Sequence, residues 1–343
     1  MNCCVECFHD EEIRTMIEKA NKGTGDCDFC GQKNVLIYPV NESTELSDLI
    51  SDVINVYEEA ADGKPLFSVM IQDWGIFKDL ASTRDLIAAF CSIINEDDED
   101  MCDKKVRLPQ KDMEQYGVLS GHTWQEFSDE IKYTNRFISK LFKHDRFTQF
   151  LTFCIKTYDK GTKFYRARVC NNQTGYGTKD MFSPPIELRK PGRVNPEGMG
   201  VLYLTSDEET ALHEVRASKF DLVTIGEFEL KKRISVVDIS RFSNISPAIY
   251  TGGMGSLAVN RKIFSDIAKE IAKPLRRNDS SLEYLPTQFI TEFIRSQPYE
   301  GVAYNSAMGT GGINLAVFNE NLFQCEKVYN VEIEDINYQY DKK

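Results

Sequence analysis

Histidine occurs only four times in 343 residues; in the second half of the chain none pairs with a nucleophile or joins a carboxylate cluster, and His213, though adjacent to Glu214, points roughly a quarter-turn away from it on a helix. Histidine-based nucleophilic catalysis and metal-assisted hydrolysis therefore have no residues to run on there. Positive charge is also in deficit: 41 Lys and Arg face 53 Asp and Glu, a net charge of −12. That balance excludes a protein-wide electrostatic footprint for nucleic acid and leaves only a local basic patch, in the N-terminal half, as a route to such a partner. No apolar run is long enough to span a bilayer, and Met1-Asn2-Cys3-Cys4 lacks the basic and apolar build of a signal peptide. A cytoplasmic protein with no membrane partner is expected.

Cysteine, by contrast, is present ten times. Without an export signal, thiols and metal ligands are a better reading than disulfides. Cys4-Val5-Glu6-Cys7 and Cys27-Asp28-Phe29-Cys30 form two CxxC pairs, the spacing of a tetrahedral Cys4 zinc site, and Gly31 suits the tight turn after the second pair. With no open coordination position, such a zinc is structural, and residues 1–40 are expected to be a small zinc-ribbon-like module. Cys3 leaves open which sulfur of the first pair binds. Cys91, Cys102, Cys154, Cys170 and Cys325 have no such spacing and are expected to be buried small hydrophobes or bystanders.

Residues 41–150 carry helical periodicity. Leu46, Ile50, Val53, Ile54 and Tyr57 share one helix face, as do Leu86, Ile87, Phe90, Ile93 and Ile94. Glu96–Asp100 is an acidic run expected in a solvated loop, and a further helix is expected over Trp124–Leu141. From Thr152 short strands take over. Gly253-x-Gly255-x-x-Ala258 formally matches a dinucleotide fingerprint, but no buried strand precedes it and no ribose-binding acid follows, so a Rossmann site is rejected.

The stretch 188–216 is the richest in chemistry. Pro191-Gly192 and Asn195-Pro196-Glu197-Gly198 are turn chemistry, which places Arg193 in a tight loop. Val201–Leu204 reads as a strand with Leu202 and Leu204 on one side and Tyr203 on the other. Ser206 and Glu209 read as a capping box opening a helix over Asp207–Ser218. On that helix Glu214 has small neighbours and no basic partner at i+4. Upstream, Arg166 and Arg168 share one face of the strand Lys163–Val169, an arrangement that calls for anions. Downstream, Pro286–Arg295 is a helix with Gln288 and Glu292 at i and i+4, and strands Gly301–Tyr304 and Ile313–Phe318 form a hairpin that presents Ser306. Arginines clamp phosphates, tyrosine offers a flat face and a hydroxyl, and one glutamate stabilises the cation that develops as an N-glycosidic bond breaks. Together these suit NAD⁺ losing a neutral nicotinamide.

Tyr165–Arg168 (YRAR), Gly192–Leu204 (GRVNPEGMGVLYL), Glu209–Arg216 (ETALHEVR) and the late Tyr304-Asn305-Ser306 with Asn314 resemble the RES domain. The resemblance implies an α+β chain: a mainly helical N-terminal domain with its Cys4 module, then a mixed β-sheet domain over residues 151–335 similar to the ADP-ribosyltransferase fold. It implies NAD⁺ as substrate, cleaved by phosphorolysis or hydrolysis with inorganic phosphate or water as acceptor, and an antitoxin or regulatory protein as partner. Transfer of ADP-ribose to a protein and a zinc-anchored binding module are the alternatives, and a homo-oligomer stays open. Carried over, Arg166 and Arg193 hold phosphates, Tyr203 packs on the nicotinamide riboside, Glu214 favours the cation and Ser306 contacts the nicotinamide side. Arg166, Glu214 and Ser306 are thus the expected catalytic residues. Val194 stands where many shorter relatives have tryptophan. Residues 41–150 resemble the HEPN-like extension of longer RES proteins, although Arg136 and His144 are too far apart for the arginine and histidine of RNA-cutting HEPN domains.

Overall fold

A computed structural model describes residues 1–20, 22–40, 44–78, 82–95, 100–273, 280–308 and 311–336. Most of the expected acidic run, residues 96–99, and Gly309-Thr310 of the hairpin loop lie outside these. The first half carries β1 (Asn2–Cys4), α1 (Glu11–Ala20), β2 (Thr24–Gly25), β3 (Val35–Pro39), α2 (Glu45–Ile54), β4 (Glu58–Pro65), α3 (Leu66–Trp74), α4 (Thr83–Ile94), β5 (Lys105–Arg107), α5 (Gln110–Tyr116), α6 (Trp124–Asp129) and α7 (His144–Leu151). The second half carries β6 (Ile155–Tyr158), β7 (Lys163–Val169), β8 (Leu202–Thr205), α8 (Glu208–Glu214), β9 (Leu222–Leu230), β10 (Ile234–Asp238), α9 (Met254–Ala272), α10 (Leu285–Arg295), β11 (Gly301–Asn305), β12 (Ile313–Val317) and β13 (Phe323–Glu332). The α+β class holds. No helix among the described residues is long and apolar enough to cross a membrane.

The chain forms two compact units that interleave in sequence. The first comprises Met1–Thr123, Lys140–Phe153 and Arg241–Ser265. Its N-terminal sheet has the order β1-β3-β2, and its core includes the rings of Phe147, Phe150, Phe242 and Phe264, packed edge-on or tilted. Buried Arg261 donates to the carbonyls of Asp73, Trp74, Ser243 and Ile245, which makes its burial tolerable.

The second unit comprises Trp124–Ser139, Cys154–Ser240 and Asp266–Lys343. Its frame is an eight-stranded sheet of order β13-β9-β7-β8-β12-β11-β10-β6. Every pairing is antiparallel except β10 with β11. Period-two alternation assigns the two faces. Phe164, Leu202, Leu204, Phe228, Leu230, Leu315 and Val317 pack into the main core. On the other face Ala167 and Val223 receive Ala211, Leu212 and Val215 around α8. Strands β7 and β8 are in register only at Tyr165 and Thr205, so the sheet parts there.

Three expected elements are corrected. The helix over Trp124–Leu141 stops as α6 at Asp129 and continues only as a π turn, Glu130–Thr134. Asn135 is extended there, and its side chain bonds the Ile138 backbone, offering the chain a local alternative to helix. The helical stretch after residue 44 also contains the β4–β5 ladder, whose close approach admits no side chain at Gly63: a Cβ would meet the Val106 carbonyl oxygen at 2.4 Å. The helix carrying Glu214 covers only Glu208–Glu214, with Asp207 rather than Ser206 as its N-cap.

Leu315 is fully buried in the main core. Leu315→Ala should cost about 2–5 kcal/mol, measured as a lower urea midpoint at unchanged m-value.

Candidate active site

Ser206 is claimed by the sheet: its amide donates to the Ile313 carbonyl and its hydroxyl accepts from the Ile313 amide. Asp207 therefore caps the helix instead, accepting from the Thr210 amide at 2.8 Å and the Thr210 hydroxyl at 2.9 Å. Only glycine fits opposite this cap, since a Cβ on Gly312 would meet Thr210 Oγ1 at 1.9 Å. Helix α8 ends after two turns at Val215, and Arg216 follows in the left-handed region at φ 52°. Glu214 is thus the last residue of the helix, where the macrodipole disfavours an anion.

What holds that anion comes from the β11–β12 hairpin. Ser306 Oγ and Asn314 Nδ2 each donate to Glu214 Oε1 at 2.7 Å. Ser306 is positioned by its own amide on the Gly312 carbonyl, and Asn314 by its register opposite Tyr304 and Thr205. Glu214 is solvent-exposed on its outer side and stands where two clefts share a wall. The smaller, ≈ 230 Å³, is lined by Tyr165, Arg166, Thr205 and Val215. The larger, ≈ 420 Å³, is lined by Lys190, Arg193, Arg216 and Lys273. Tyr203, Glu214, Tyr304 and Asn314 line both.

The turn that carries Arg193 closes on itself through the Gly192 amide and the Asn195 carbonyl, 2.9 Å apart. Helix α10 clamps it from below. Gln288 Nε2 donates to the carbonyls of Gly192 and Asn195, and Thr287 Oγ1 to that of Arg193. Asn195 spreads its side-chain amide over the carbonyls of Lys190, Pro196 and Met199 while accepting the Tyr203 hydroxyl at 2.5 Å. Burial pushes the Tyr203 and Tyr304 phenols well above their ordinary range, so both remain neutral donors. Arg193 is only 8 % exposed. Its guanidinium lies over the Tyr284 ring and pairs with Glu270 at 3.2 Å.

The RES domain family matches residues 163–341. The chain belongs to the RES family. No curated protein matches it. Among solved structures it is similar to a chain of the M. tuberculosis MbcT–MbcA toxin–antitoxin complex, at 12% identity over 51% of this chain and 86% of that one, with a TM-score of 0.28. A likeness that slight carries no argument.

Within the RES domain, Arg166, Arg193, Tyr203, Glu214 and Ser306 all come to the neighbourhood of the two clefts, by different routes. Arg166 occupies the parting between β7 and β8, where its Nη1 donates to the Tyr203 carbonyl at 3.4 Å. Burial, and secondarily Arg168, pull its pKa down to about 10, which leaves it charged at neutral pH. Arg168 turns away to the Phe182 carbonyl and the Tyr176 ring. Val194 is fully buried, so that position packs the interior of this chain. The sequence does not single out Thr287, and it marks Asn195 only as a turn residue, Gln288 only as a helix residue and Tyr304 only as a motif residue. The available signal was polar residues on a helix face otherwise apolar, Thr287, Gln288 and Thr291, all buried.

Outside the RES match, Cys4, Cys7, Cys27 and Cys30 gather with their sulfurs all within 4.8 Å of one another. Cys4 and Cys30 lie 3.4 Å apart and Cys7 and Cys27 3.5 Å, against the ~3.8 Å edge of a tetrahedron with 2.3 Å metal–sulfur bonds. The donor set fits a tetrahedral ion. Burial pushes the Cys4 thiol up to about 12 and raises Cys7 as well, whereas the backbone amides of Cys30 and Phe29 bring Cys27 down against its burial; a cation is what would make Cys4 and Cys7 thiolates. Gly31 takes φ 72°, the left-handed turn expected of it.

A Cβ on Gly192 would meet Asn195 Oδ1 and Tyr203 Oη, each at 2.8 Å. Gly192→Ala should therefore destabilise the protein by roughly 1–3 kcal/mol. In a Tyr203→Phe background the loss should shrink, and a double-mutant cycle of urea midpoints measures the coupling.

Proposed function

We propose that this protein cleaves the nicotinamide–ribose bond of NAD⁺ by phosphorolysis or hydrolysis, and that it acts as a toxin or defence effector restrained by an antitoxin or regulatory partner. The observation that carries the reading is the Glu214 carboxylate, held by Ser306 and Asn314 at the wall shared by an aromatic cleft and a cationic one. The larger cleft falls within the ~300–1,000 Å³ usual for small-molecule sites. Membership of the RES family supports the same substrate.

In this mechanism the guanidinium groups of Arg193 and Arg166 hold the pyrophosphate, and Tyr203 packs on the nicotinamide riboside. As the N-glycosidic bond lengthens, its electron pair goes to the pyridinium nitrogen and nicotinamide leaves neutral. The positive charge left on the ribose faces the fixed negative charge of Glu214. Ser306 and Asn314 keep that carboxylate aimed without protonating it. Addition of water gives ADP-ribose; addition of phosphate gives its ester at the freed anomeric carbon. Residues 1–40 form a structural module in which Cys4, Cys7, Cys27 and Cys30 hold zinc, and residues 41–150 a helical regulatory domain.

Purified protein incubated with NAD⁺, with and without phosphate, should release nicotinamide; no release under either condition would count against the reading. Glu214→Gln should lower turnover on the order of a hundredfold or more while the fold is retained, because the charge goes and the shape stays. Atomic emission should find about one zinc per chain, lost in Cys27→Ser together with thermal stability of the first unit.

A further inference from the structure

Behind the cationic cleft, paired with two of its lining residues, stands an acid that the mechanism does not use: Glu270. Lys190, Arg193, Arg216 and Lys273 line this cleft. Glu270 pairs with two of them: Arg193 Nη1 at 3.2 Å, and Lys273 Nζ at 3.4 and 3.5 Å from its two oxygens. Glu270 lies in the last turn of α9, where an anion gains nothing from the helix and opposes its dipole. Its side chain is 24% exposed, so the carboxylate keeps a face to water through which it can turn away. Arg193 differs. Its backbone is fixed by Thr287, its side chain is 7% exposed, and its Nε is buried without a hydrogen-bond partner. A buried guanidinium with an unused donor and a partly exposed carboxylate on another nitrogen is half of an anion site, with the other half filled from within the chain.

We infer that Glu270 is a displaceable internal anion: its carboxylate stands in for a phosphate group on Arg193 and Lys273, and yields that place when a polyphosphate ligand enters. The inference rests on the NAD⁺ reading for the identity of the natural ligand, but not for the displacement itself. Glu270 is then an affinity-setting residue. Its carboxylate lowers the affinity of the site for every anion, so that only a ligand which also fills the neighbouring aromatic cleft gains enough to bind.

The test is titration calorimetry of the full chain with inorganic pyrophosphate and with ADP-ribose at two ionic strengths. Glu270→Gln should bind pyrophosphate about three- to tenfold more tightly than wild type, with a steeper salt dependence, because a competing charge has gone. Lys273→Gln should bind it more weakly. The KM for NAD⁺ should fall in Glu270→Gln. Unchanged or weaker pyrophosphate binding by Glu270→Gln overturns the inference, since Glu270 would then only orient Arg193; absence of binding by every variant overturns it as well. Should Glu270→Gln misfold, Glu270→Ser takes its place. Tighter pyrophosphate binding without nicotinamide release from the wild type leaves this inference standing and removes the NAD⁺ reading. Nicotinamide release with unaltered anion affinity does the reverse.

Discussion

A carboxylate at the C-terminal end of a two-turn helix is electrostatically misplaced, and the paired donation of Ser306 and Asn314 to Glu214 is what makes it tenable. Much of the second unit serves that contact. The β11–β12 hairpin must close so that Ser306 and Asn314 reach the same oxygen, and β8 must pair with β12 so that α8 starts beside them. Asp207 and Gly312 must also meet without a side chain between them. Both donors are neutral, so they aim the carboxylate without bringing a counter-charge to it.

The other half of the site is built from backbone. The carbonyls of the turn at 192–195 are satisfied by Gln288 and Thr287, and the Asn195 side chain ties down the flanking carbonyls of Lys190, Pro196 and Met199. Those bonds hold Arg193 in place under partial desolvation, with the Tyr284 ring beneath it. Arg166 closes the parting of the sheet by bonding the Tyr203 carbonyl. The two arginines thus differ in kind, one fixed by its backbone and the other by its head group.

Some expectations failed for identifiable reasons. Ser206 and Glu209 have the spacing of a capping box, but the β12 ladder claimed Ser206 first and moved the cap by one residue. The helical pattern after Trp124 is real for one turn and a half; beyond it, the side-chain bonds of Asn135 compete with the helix. Tertiary pairing and local side-chain chemistry overrode the periodicity in these two places.

The sequence alone determined the α+β class, the strand and helix pattern of the second half, the Cys4 cluster and the residues around the clefts, because each of these is written in local spacing: two-residue alternation, CxxC pairs, turn glycines and a helix with one unpartnered acid. Only the tertiary structure decided which groups those residues touch. That Glu214 is held by Ser306 and Asn314, that Gln288 carries the Arg193 turn, and that Glu270 sits on Arg193 are contacts across 77 to 100 residues of chain. Such contacts follow from the order in which strands pair in the sheet and from how α9 and α10 pack beside it, and no local pattern encodes either.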